Sequence, residues 1–165
     1  MKQMENEMNV NVPLEVIKAS EIEPKEVKWL WYPYIPYGKV TLLQGDPGDG
    51  KSKLMLSVAA LLSKGEPLPF TETEENEPVT IIYQTAEDDA DDTVVPRFNS
   101  AGGNGENHIF IREDEKSLSF GDNRIAEAIE KYHAKLLILD PMSSYIGENC
   151  SMNNANETRA EFNHL

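Results

Sequence analysis

The stretch Gly45-Asp46-Pro47-Gly48-Asp49-Gly50-Lys51-Ser52 constrains this chain more than any other. It fits G-x-x-x-x-G-K-[ST], the spacing of a phosphate-binding P-loop. Its glycines let the backbone curl until successive N–H groups point into one concavity that takes phosphate oxygens. The Lys51 ammonium can reach β- and γ-phosphates. The Ser52 hydroxyl can ligate Mg²⁺, which keeps several waters and needs few protein donors. Such a loop requires a strand before it and a helix after it. Lys39-Val40-Thr41-Leu42-Leu43-Gln44 is an apolar run of strand length, and Leu54, Val58, Leu61 and Leu62 fall at helical spacing beyond the loop. The sequence therefore predicts strand, loop and helix, with the positive end of the helix dipole aimed at the anion. The expected ATP-binding set is Gly45, Asp46, Pro47, Gly48, Asp49, Gly50, Lys51, Ser52 and Lys53. Asp49 is an anionic residue in an anion-holding loop. It is expected to point outward, since turned inward it would weaken nucleotide binding.

Three further apolar runs read as strands: Val79–Gln84, His108–Ile111 and Leu136–Leu139. A helix is expected over Asp89–Asn99, kinked or delayed by Pro96. Another runs to about Tyr132 from a cap at Asp122 or Asn123. Apolar strands alternating with helices predict a mostly parallel sheet covered on both faces, an α/β fold of three-layer α/β/α P-loop type. In such a sheet the carboxyl ends of the strands share one edge, where ligands bind. Lys51 and Ser52, Glu87 and Asp140 each follow a strand, so they are expected to converge. Asp140 would hold Mg²⁺ with Ser52, and its competing reading is a strand-ending Asp-Pro turn. Glu87 would position and polarise the attacking water, with Lys51 assisting catalysis. The competing reading of Glu87 is a solvated acidic patch, since Asp88, Asp89, Asp91 and Asp92 follow it. Arg97 pairs with that patch or faces a neighbouring subunit.

Charge narrows the partners. There are 29 Asp and Glu against 15 Lys and Arg, a net charge of −14, so no global footprint for nucleic acid exists. A single cysteine, Cys150, permits no intrachain disulfide. There is no long apolar segment and no signal-peptide pattern, and the expectation is a cytoplasmic protein with no membrane partner. Residues 1–20 are expected as a polar N-terminal tail and 21–165 as the domain. The aromatic run from Trp29 to Tyr37 contains two prolines, which rule out a continuous helix. It is read as a core-sealing segment in preference to a platform for a base or a subunit. His108 and His133 have no metal-ligand spacing.

Several pieces together resemble the RecA-like ATPase domains of the plasmid RepA helicase type, within the broad AAA-family ATPases. They are Trp29-Leu30-Trp31 through Leu43, the P-loop, Ala86-Glu87-Asp88-Asp89, Asp92-Thr93 through Phe98, Leu139-Asp140-Pro141-Met142 and Asn156-Glu157-Thr158-Arg159. The resemblance implies that Glu87 is the catalytic glutamate and Asp140 the Walker B aspartate. It also implies a homo-oligomeric ring or filament with nucleotide between subunits, and DNA as the partner on which hydrolysis does work. RecA-like cores continue past Walker B through strands that carry a sensor residue and an arginine finger. Within residues 1–165 the domain is therefore expected to be partial, with weak or no hydrolysis by itself. Two rival readings are a nucleotide-gated binding module without turnover and a small-molecule kinase.

Overall fold

The computed structural model describes residues 13–71, 76–113 and 116–146. Cys150 and the stretch 156–159 lie outside them. The proline-bearing aromatic run folds as a short antiparallel hairpin, β1 (Trp29–Trp31) against β2 (Ile35–Pro36). Trp31 is its buried anchor, and the indole Nε1 donates to the Pro69 carbonyl at 2.9 Å. Tyr32, Tyr34 and Tyr37 stay exposed, so the segment seals the core through Trp31 rather than through its whole aromatic run.

Helix α1 (Lys51–Lys64) follows the P-loop and buries Leu56, Val58, Ala59, Ala60 and Leu62. Burying one such leucine or valine stabilises the fold by about 1.5–3 kcal/mol. The helix ends at Gly65, whose φ of 73° is left-handed. There Gly65 N–H donates to Leu62 O and Glu66 N–H to Leu61 O, a Schellman ending. A side chain at Gly65 would also collide with the Asn76 carbonyl.

The sheet has three parallel strands, β3 (Ile81–Thr85), β4 (His108–Ile109) and β5 (Leu136–Asp140), in the order β4-β3-β5. Its pleat divides the core. Ile81, Tyr83 and Ile138 pack with α1 and with Phe98 of helix α2 (Val95–Ser100). Leu137 and Leu139 pack against Leu118, Phe120, Tyr145 and Ile125 of helix α3 (Asn123–Tyr132). Asp122 caps α3 by accepting from Arg124 N–H at 3.0 Å. Hydrogen bonds from the Arg124 guanidinium hold the Asp122 carboxyl down at about 2.

Two expectations are corrected. The run Lys39–Gln44 forms no strand: all of it is exposed, Leu42 at 65%, and no described strand lies alongside to share its backbone groups. The strand at His108 stops after two residues. Beyond it the buried Gln84 side chain stands in for a neighbouring backbone, accepting from Ile111 N–H at 2.6 Å and donating to Ile111 O at 3.1 Å. The helix over Asp89–Asn99 is delayed, one of the two outcomes expected from Pro96: the segment opens as a π turn (Ala90–Val94), and α2 itself starts at Val95. Pro96 thus falls in its first turn, where a missing N–H costs nothing.

His108 is wedged among aromatics, its ring centroid 4.1 Å from Phe98 and 4.9 Å from Phe110. Its Nε2 is buried with no hydrogen-bond partner among the described residues. Burial pushes the imidazole down to about 4. The unfolded chain takes up this proton near pH 6.5 and the folded chain only near its lowered value, so stability is lost as pH falls through that window. The ring is partly exposed, and the loss is about 1–2 kcal/mol after that discount. His108→Phe should remove this increment when urea melts of the two proteins are compared at pH 7 and pH 4.5. Parallel pH dependences would contradict the assignment.

Candidate nucleotide site

Two left-handed glycines shape the loop, Gly48 at φ 90° and Gly50 at φ 82°. Gly50 is the N-cap of α1, and no side chain caps the first turn. The amides of that turn are therefore open to an external anion. The Lys51 ammonium folds over the loop and donates to Gly45 O at 2.9 Å and Asp46 O at 2.8 Å. The loop backbone is exposed, whereas Lys51 and Ser52 are half-buried.

Asp49 does not point away. Its Oδ2 accepts from Asp46 N–H at 2.7 Å, while its own N–H donates to Asp46 O at 3.2 Å. The physical reason is local: Asp46 N–H needs an acceptor, and a carboxylate three residues on supplies a charge-assisted one. A Cβ at Gly45 would lie 2.7 Å from Asp49 Oδ2 and would displace that carboxylate from Asp46 N–H.

The second half of the site comes from strand register. β3 and β5 pair from Ile81↔Leu136 through Thr85↔Asp140, so both strands end together. Ala86 N–H extends the ladder by donating to Asp140 O at 3.2 Å. Tyr83, buried on the α1 side of β3, donates its hydroxyl to Asp140 Oδ2 at 2.8 Å. Burial first, and then the Asp140 hydrogen bond, hold this phenol above its ordinary pKa, while the Ser52 hydroxyl acts on it in the opposite sense. The phenol thus stays protonated. Tyr83 thus ties the end of β5 to the α1 face of β3 through one phenol hydroxyl.

Glu87 is exposed two residues beyond β3 and makes no hydrogen bond or ion pair with the described residues. Its neighbour Asp88 accepts from Arg97 Nη1 at 3.2 Å. That pair joins Arg97 to the acidic patch, and being exposed it contributes only about 0–1 kcal/mol. Lys53 is exposed on the first turn of α1. Tyr83 is the residue that sequence reasoning missed. The available signal was a hydroxyl on a strand residue two positions before the strand's end.

Hard oxygen donors suit Mg²⁺, and one hydroxyl plus one carboxylate is the sparse protein contribution this ion takes. Among the described residues no group of three or more His, Cys, Asp or Glu could hold a metal alone. A cation here would therefore need oxygens from the nucleotide and water. No helix among the described residues is long and apolar enough to cross a membrane.

A family model described as an AAA domain matches residues 7–165. The chain belongs to that family, and it is a nucleotide-binding, ATPase-like P-loop domain. No curated protein matches it, and no solved structure does.

The Asp49 carboxylate sits in the loop that would receive a triphosphate. Asp49→Asn keeps an acceptor for Asp46 N–H and removes the charge. It should tighten ATP binding roughly 2- to 5-fold at low salt, as expected for a like charge a few ångströms away in a solvated site. Titration calorimetry at two salt concentrations checks this, and weaker or salt-independent binding would contradict it.

Proposed function

We propose that this chain is a RecA-like ATPase domain of the RepA helicase type that binds Mg·ATP and, within a homo-oligomer, couples hydrolysis to work on DNA. The observation that carries the nucleotide part is the folding of Lys51 over the loop carbonyls at the uncapped start of α1. When ATP enters, the ammonium exchanges those carbonyls for β- and γ-phosphate oxygens. The loop amides and the first turn of α1 orient the phosphates. Ser52 and Asp140 would hold the Mg²⁺, which neutralises charge developing on the phosphates. Glu87 would accept a hydrogen bond from the attacking water and hold it in line. The DNA and oligomer parts rest on the resemblance of the motifs, and the net charge of −14 supplies no independent support.

A second reading is ATP binding without turnover. Glu87 favours it, because nothing among the described residues holds that carboxylate toward Asp140. One experiment tests both. A fluorescent ATP analogue is titrated with and without Mg²⁺ against wild type, Lys51→Ala and Glu87→Gln, and phosphate release is followed in the same samples. Lys51→Ala should weaken binding at least 10-fold, the loss expected when one charge-assisted contact is removed. Turnover that Glu87→Gln removes, with binding kept, supports the ATPase. Binding with no phosphate released supports the second reading. Wild type that binds no nucleotide overturns both.

A further inference from the structure

Tyr83 has no role in the mechanism above, yet its hydroxyl lies where the two halves of the site meet. The ring is 1% exposed, locked in the core formed with α1 and Phe98. Its phenol oxygen therefore has little freedom to move. It donates to Asp140 Oδ2 at 2.8 Å. A carboxylate has two oxygens, and this bond occupies one of them. The other is left for a cation. The aspartate χ2 torsion is broad and nearly unrestrained by itself, so a fixed donor on one oxygen decides where the other points. Partners of this kind behind a metal-binding carboxylate typically govern 10- to 100-fold in metal affinity.

We propose that Tyr83 is a positioning residue for the divalent cation that accompanies the nucleotide: its hydroxyl holds one oxygen of the Asp140 carboxylate so that the other is already oriented for the ion. This rests on the Mg·ATP reading above. Tyr83 itself does not touch the ion. It supplies no charge and takes no proton. Its contribution is to remove the reorientation of Asp140 that cation binding would otherwise require.

The test is Tyr83→Phe, which keeps the ring and deletes the donor. Nucleotide affinity is measured first in EDTA and then as a function of Mg²⁺, with far-UV circular dichroism and a thermal melt to establish that the variant is folded. The expected result is unchanged affinity in EDTA and about a 10-fold rise in the Mg²⁺ concentration giving the half-maximal increment. With Mn²⁺ in place of Mg²⁺, the electron paramagnetic signal of free ion in the presence of ADP should report the same weakening without any turnover. An unchanged Mg²⁺ dependence overturns the proposal. So does an equal loss of affinity with and without Mg²⁺, the mark of a merely structural role. A second measurement uses wild type with ¹³Cζ-labelled tyrosine: adding Mg²⁺ to the ADP complex should shift the Tyr83 resonance, and a resonance that does not move also overturns it. Wild type that binds no nucleotide fails at the earlier step and is told apart by the EDTA titration.

Discussion

Parallel pairing of β3 with β5 brings the parts of the site to one edge. Five register pairs, ending at Thr85↔Asp140, fix where both strands stop. A one-residue slip would turn Tyr83 and Asp140 to opposite faces and break their 2.8 Å hydrogen bond. The register is well determined because each face has its own core. Ile81, Tyr83 and Ile138 are committed to α1 and α2, and Leu137 and Leu139 to the side of α3. Burial on both faces thus does more than stabilise the sheet: it sets the chemistry at its carboxyl edge.

The other half of the site depends on where α1 begins. Gly50 can take the left-handed turn that starts the helix, and the buried face from Leu56 to Leu62 holds the helix against the sheet. The loop before it is anchored only by its own contacts, with Lys51 on Gly45 O and Asp46 O and Asp49 on Asp46 N–H. A rigid helix end therefore carries an exposed loop whose internal hydrogen bonds are the ones a triphosphate would replace. Asp49 stands out here. It satisfies a loop amide and adds negative charge where the proposed triphosphate would sit, so the same side chain organises the loop and would oppose its ligand.

Much of this was legible in the sequence because motif spacing and strand endings are local properties. The helix after the loop, the Asp122 cap and the placing of Asp140 at a strand end all follow from short-range rules, although Leu54, counted on the apolar face of α1, is exposed and Leu56 is buried in its stead. The misreadings share a cause. Val40, Leu42 and Leu43 read as a strand, but a strand exists only where a neighbour takes its backbone groups, and none is described there. Ile111 lost its place in β4 to a glutamine side chain, a substitution no periodicity foretells. Asp49 was expected outward on charge alone, whereas its carboxylate takes a charge-assisted hydrogen bond from the amide three residues away. Tyr83 was hidden because a tyrosine in an apolar strand reads as packing, and its partner lies 57 residues away.

The claim on which all of this rests is that the loop from Gly45 to Ser52 and the first turn of α1 receive nucleotide phosphates. Hydrogen exchange followed by mass spectrometry, on the free chain and after addition of Mg·ATP, tests it most directly. The account predicts slowed exchange at peptides covering 45–54 and 83–87, with the β1–β2 hairpin unchanged. Exchange at 45–54 that does not slow at saturating Mg·ATP would contradict it.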